Sequence, residues 1–254
     1  MRFLSLVAAA ALLLAVPASS APKATRPASN AVLVIGALHD LHPREPGFGY
    51  ADLRSAILAF RPDILVLEVR PDELSGKKET PGRPEYPAVI WPLLTSLNAQ
   101  TVAMEPGGET FKALSSGAGA AFAAMRQRDP EGAAALARLE TAMEDSLLSY
   151  WGSAGQVQDA TTAALAGGLQ ALQLGLVGPS YAIVQGQWDR HMADCVRRTV
   201  AANPNKRVLV LGSFKNRAML EEAVRHTAAR RLIDAQQWLD TLPAASSAAL
   251  TPRS

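Results

Sequence analysis

The sequence predicts an α/β fold: a mostly parallel central sheet flanked by helices, two related halves, and a helical insertion or cap in the middle. Three observations carry that expectation. Two short apolar runs, Val32–Ile35 and Val208–Leu211, are each followed by a glycine, the pattern of strands buried on both faces. Residues 31–67 read strand, helix, strand, a βαβ unit that implies a parallel pair. Between 110 and about 178, Ala, Leu, Gln and Met dominate and proline occurs only at Pro130, which suits three or four helices forming a lobe.

In chain order, residues 1–21 stand apart from the fold. Arg2 precedes an uncharged run from Leu4 to Val16, and small residues follow around Pro17–Ala21. This is the pattern of a secretory signal peptide, best cleaved after Ala18, so the expected location is periplasmic or secreted. After a polar lead-in to Asn30, Ala31–Ile35 forms the first strand and 37–49 a loop. Leu53, Ile57 and Phe60 fall at helical spacing, Pro62 closes that helix, and Ile64–Leu67 is the second strand. Pro71–Pro87, rich in Pro, Gly and charge, reads as an exposed loop. Ala88–Asn98 is a helix and Thr101–Met104 a third strand. Beyond the lobe come a helix from Trp188 to Ala202, stopped by Asn203-Pro204, the strand Arg207–Leu211, and an amphipathic helix from about Asn216 to Ala229. Leu232-Ile233 is a last edge strand, and 243–254 a disordered tail. Residues 22–242 thus form one domain. Gln170 and Gln173, with the brevity of the apolar stretch around them, argue against a membrane span.

Composition removes several function classes. The 254 residues hold 25 Lys+Arg against 23 Asp+Glu, a balance unlike that of a nucleic-acid binder working by phosphate neutralisation. One cysteine, Cys195, excludes an intramolecular disulfide framework and a Cys-based zinc cluster, and its mid-helix position reads as a buried structural thiol. With four histidines in the chain, any metal site must lean on carboxylates. There is no Gly-x-Ser-x-Gly elbow, Walker A loop or His-Glu-x-x-His.

Two segments echo each other: Val32-Leu-Val-Ile-Gly-Ala-Leu-His-Asp40 aligns without gaps on Val208-Leu-Val-Leu-Gly-Ser-Phe-Lys-Asn216. Convergence of two buried strands is the plain alternative. Taken at face value, the echo puts His39 and Lys215 just beyond the carboxyl ends of their strands, where open α/β sheets bind ligands. His39, joined by His42, suits proton transfer or metal binding, against the alternative of a solvated loop imidazole. Glu68 ends the second strand, where a carboxylate needs a partner or a cation, unless it is simply paired with Arg70 or Arg190. Glu105 ends the third strand in the same way. Arg190 either orients an acidic group or pairs with Glu68, or else interacts locally through Asp189.

These residues resemble the TraB/GumN family, which includes the Tiki proteases and is akin to the erythromycin-esterase and ChaN-like proteins. Gly36-Ala-Leu-His39 resembles its first Gly-x-x-His, Glu68 its acidic strand end, and Arg190, followed by Met192-Ala193, its late arginine. Gly212-Ser-Phe-Lys215 stands where the second Gly-x-x-His belongs. The resemblance implies an α/β fold of two halves and, in Tiki-like members, peptidase activity dependent on a divalent metal (Mn, Co or Zn). His39 and Glu68, with His42 and Glu105, would be the ligands, and the substrate a peptide or small molecule. Lys215 departs from the pattern. It is a base of depressed pKa, or its ammonium replaces the metal charge, or catalysis is lost and a binding or accessory protein remains. A ChaN-like haem site on His39 or His42 is a further alternative.

Overall fold

The computed structural model describes residues 28–78 and 80–243. The leader expected at 1–21 and the tail beyond 243 lie outside the described residues. Four strands, β1 (Val32–Ala37), β2 (Ile64–Leu67), β3 (Gln100–Ala103) and β4 (Val208–Ser213), form one all-parallel sheet in the order β1-β4-β2-β3. The expected βαβ pair is therefore corrected. β1 and β2 run parallel, but β4 lies between them and hydrogen-bonds to both.

The echo becomes a physical register. Val32 pairs with Val208, Gly36 with Gly212 and Ala37 with Ser213, the alignment read from the sequence. Both strands run one residue past their glycines. Alternation then splits the core. Leu33, Ile35, Leu65, Leu67, Leu209 and Leu211 pack on one face, while Val32, Val34, Val66, Val208 and Val210 pack on the other. Both faces are buried, which is why the strands read as uninterrupted apolar runs.

The helices follow in order: α1 (Tyr50–Phe60), α2 (Pro71–Gly76), α3 (Trp91–Leu94), α4 (Gly108–Arg128), α5 (Pro130–Tyr150), α6 (Ala154–Val157), α7 (Ala160–Val177), α8 (Pro179–Ala202), α9 (Arg217–Ala228) and α10 (Ala235–Asp240). α1 closes at Arg61 in the left-handed conformation. α4 to α7 are the expected lobe. The helix expected at 88–98 is shorter: a π-helical turn over Tyr86–Ile90 leads into α3. α8 begins nine residues before Trp188, because Pro179 occupies the first helical turn, where its missing N–H costs nothing. Leu232 makes one parallel bridge to Val32, a remnant of the expected edge strand. Met192, Val196 and Val200 of α8 join Leu220 and Val224 of α9 on the valine face. Cys195 is buried there as expected, with its thiol near the Ala103 carbonyl.

Gln158, between α6 and α7, ties the lobe to the sheet. Its side-chain oxygen accepts from the Gly36 N–H at 2.8 Å and its amide donates to the Gly36 carbonyl at 3.0 Å. The free edge of β1 is thereby satisfied at the residue three positions before His39.

Candidate functional site

The carboxyl ends of the strands converge on a cavity of about 230 Å³ lined by His39, Glu68, Arg83, Ser213, Lys215 and Asn216, with Gln170, Gln173, Tyr181 and Gln185 facing them from α7 and α8. The structure thus brings together His39, Glu68 and Lys215.

His39 leaves β1 with φ at 54°, a left-handed conformation uncommon outside glycine, which turns its ring between two carboxylates. Nδ1 donates to Glu85 Oε1 at 2.7 Å, and Nε2 faces Glu68 Oε1 at 3.9 Å. Burial works against a charge here, but Glu68 and Glu85 outweigh it and raise the imidazole to about 9. His39 is therefore an imidazolium at neutral pH. Glu85 is fully buried, and its second oxygen has no hydrogen-bond partner among the described residues.

Glu68 is held from three sides. Its Oε2 accepts from the Ser213 backbone N–H at 2.6 Å, its Oε1 accepts from the Asn216 amide at 3.0 Å, and Arg83 lies 3.8 Å away. Burial pushes this carboxyl up, yet His39, Arg83 and the Ser213 N–H prevail and hold it below the usual range. The approach depends on Gly212, where a Cβ would sit 2.8 Å from Glu68 Oε2 and 2.5 Å from Leu220 Cδ1.

Glu105 meets Arg83 through two bonds of 3.0 and 2.6 Å, and Arg83 also donates to the Glu68 carbonyl at 2.7 Å. Burial raises the Glu105 carboxyl above its ordinary range, and Arg83 offsets this only in part. Arg83 itself, desolvated but flanked by Glu105 and Glu68, keeps its charge more tightly than usual. Lys215 reaches Glu144 at 2.9 Å and Glu140 at 3.3 Å, both on α5. Burial would lower its ammonium, but these carboxylates raise it.

Several expectations are corrected. Lys215 is not a base of depressed pKa, because Glu144 and Glu140 stabilise its charge. Arg190 lies outside the cavity: its side chain is exposed and donates to the Gly186 carbonyl of its own helix at 3.1 Å. The arginine beside Glu68 is Arg83, not the expected Arg70 or Arg190. His42 accepts from the Leu38 N–H through Nε2 at 3.1 Å and donates from Nδ1 to the Phe48 carbonyl at 2.9 Å. Both ring nitrogens are spent, and burial lowers the imidazole further. His42 is thus a neutral strut with no lone pair for a metal or a haem iron.

The donor set does not fit a divalent ion. A catalytic zinc takes three protein ligands, whereas His39 and Glu68 are the two that face one another. Both Glu105 oxygens are engaged by Arg83, and its guanidinium adds positive charge beside Glu68. Among the described residues, no group of three or more His, Cys, Asp or Glu side chains is arranged to hold a metal. The cavity also lies below the about 300–1,000 Å³ of larger ligand sites, too small to enclose a haem.

Arg83, Glu85 and Asn216 escaped the sequence reading. Asn216 carried a signal, as the last residue of the echo opposite Asp40. Arg83 and Glu85 carried none, since a charged Pro/Gly-rich segment reads as solvated. No protein-family model, curated protein or solved structure matches this chain.

Proposed function

We propose that this chain is an exported hydrolase that works by proton transfer between Glu68 and His39, on a polar, peptide-like or small-molecule substrate bound beneath α7. The observation that carries the reading is the Glu85–His39–Glu68 alignment inside a polar cavity. Neighbouring groups with pKa values driven apart are the mark of an acid and base assignment. Glu68, held ionised, takes a proton from water as the water oxygen bonds to the substrate's acyl carbon. His39, held protonated by Glu85, gives its Nε2 proton to the leaving atom. Return of the proton from Glu68 to His39 restores the site. The side-chain amides of Gln170 and Gln173 line the cavity without a hydrogen-bond partner among the described residues and are open to the substrate. The reading agrees with the TraB/GumN resemblance at Gly36, His39 and Glu68, and departs from it in needing no metal step.

The test is turnover of a defined mixture of peptides and esters, read by mass spectrometry, by the wild type, His39→Ala and Glu68→Gln. Each substitution is expected to lower the rate about 10²–10⁴-fold, the usual contribution of a positioned acid or base. Undiminished turnover in both variants defeats the reading. A second reading, a binding protein that has lost catalysis, is favoured by one contact. Lys215 bridges to Glu140 and Glu144 and so ties the end of β4 to α5 at the cavity wall. It predicts ligand retention without turnover, and turnover in the same assay rejects it.

A further inference from the structure

The outer face of α7 has no partner among the described residues. Residues 160–177 carry no charge, and Leu165, Leu172 and Leu176 are 43%, 48% and 40% exposed. Leu139 of α5 is 44% exposed beside them, across an apolar groove of about 410 Å³ that runs between α5 and α7. The helix also contains Gly167, Gly168 and Gly175. A Cβ at any of the three would meet nothing within 4 Å, although each glycine in a helix interior costs about 1 kcal/mol relative to alanine. Nothing among the described residues requires them, whereas the close approach of another backbone would.

We propose that α7 is the contact helix of a two-fold homodimer, packed antiparallel on α7 of the partner with the axis at Gly168. The pattern of the exposed face is complementary to itself about that point. Reversal around Gly168 sets Ala164 against Leu172 of the partner subunit, and Leu165 against Ala171 of the partner subunit. Each large side chain meets a small one, glycine meets glycine at the axis, and Leu139 extends the contact along the groove. A two-fold interface demands this self-complementarity, and an uncharged face carries no repulsion against its own copy.

The area suffices. The four leucines leave about 300 Å² of apolar surface in water, and the residues between them bring the face to about 500 Å² per protomer, the lower limit for a specific pair at about 1,000 Å² in total. Chain 154–177 is also long and apolar enough to cross a membrane. Lipid insertion conflicts with its other face, where Gln170 and Gln173 line the polar cavity and Gln158 is bonded to Gly36. α7 therefore serves as cavity wall on one side and dimer face on the other.

Sedimentation equilibrium of the purified protein tests the assignment. The expected mass is twice that of the protomer at about 100 μM, as suits a pair of micromolar affinity, and Leu172→Glu halves it while the far-ultraviolet circular dichroism stays unchanged. Gly168→Cys, on the axis, forms a disulfide-linked dimer under mild oxidation, and Ala164→Cys, which faces a leucine, does not; buried Cys195 adds no background. A monomeric wild type, a mass indifferent to Leu172→Glu, or equal cross-linking at both cysteine positions overturns the proposal. So does co-flotation of a monomeric wild type with phosphatidylglycerol-containing vesicles that is lost in Leu172→Glu.

Discussion

Replacing Glu85 with glutamine should release the charge on His39. In the folded chain the imidazole is raised from 6.5 to about 9 against the pull of burial, by Glu68 and Glu85 together. At about 1.4 kcal/mol per pKa unit, the charged form is favoured by about 3 kcal/mol over a free histidine. The His39 side chain is 17% exposed, so solvent screens little of this. Glu85 makes the 2.7 Å contact and Glu68 the 3.9 Å one. Its neutral isostere should therefore lower the midpoint by a full unit or more. Histidine Cε1–H signals followed by NMR from pH 5 to 10 give the measurement, with His39→Asn assigning the resonance. His42, whose imidazole burial lowers, should titrate below His39 and serves as the internal reference. The folded value lies above the unfolded one. The stabilisation is thus complete below about pH 6.5 and is lost as pH rises through about 9. Urea unfolding of the wild type should weaken by up to about 3 kcal/mol across that window, and Glu85→Gln should flatten the slope. A wild-type His39 midpoint at or below 6.5, or one that Glu85→Gln leaves in place, refutes the argument.

Two further substitutions probe what holds the strand ends. Arg83→Met leaves Glu105 buried without its two donors and should cost about 3–5 kcal/mol at neutral pH; urea unfolding should show Arg83→Met/Glu105→Gln losing less than Arg83→Met alone, and equal losses would mean that the pair is not coupled. Gln158→Leu strands the N–H and carbonyl of Gly36 and should cost about 2–4 kcal/mol, with faster hydrogen exchange at the Gly36 amide; exchange at the wild-type rate would show that the lobe does not secure this edge.

What could be read from the chain, and what could not, divides along a physical line. The strands were legible because burial on two faces demands unbroken apolar runs, and the β1–β4 register was legible because the two runs are nearly the same peptide. Strand adjacency was not, since β4 reaches its place between β1 and β2 from 140 residues downstream and nothing local records that. The position of Arg190 was legible in principle. Met192, Val196 and Val200 mark the face of α8 that meets the sheet, and Arg190, two residues before Met192, lies about 200° around the helix, pointing away. Helical phase is a better guide to the placement of Arg190 than its motif resemblance. Arg83 and Glu85 differ in kind. Their segment has the proline, glycine and charge of a solvated loop, yet Glu85 is fully buried because His39 and the helical turn at Tyr86–Ile90 close over it. The paucity of histidine led to the expectation that a metal site would lean on carboxylates; the carboxylates are there, but they are spent on cations of the protein itself. Glu85 and Glu68 compensate the imidazolium, Glu105 compensates Arg83, and Glu140 with Glu144 compensates Lys215. Each cation at the strand ends has its own carboxylate, which leaves the His39–Glu68 gap as the place where the proposed proton transfer would occur.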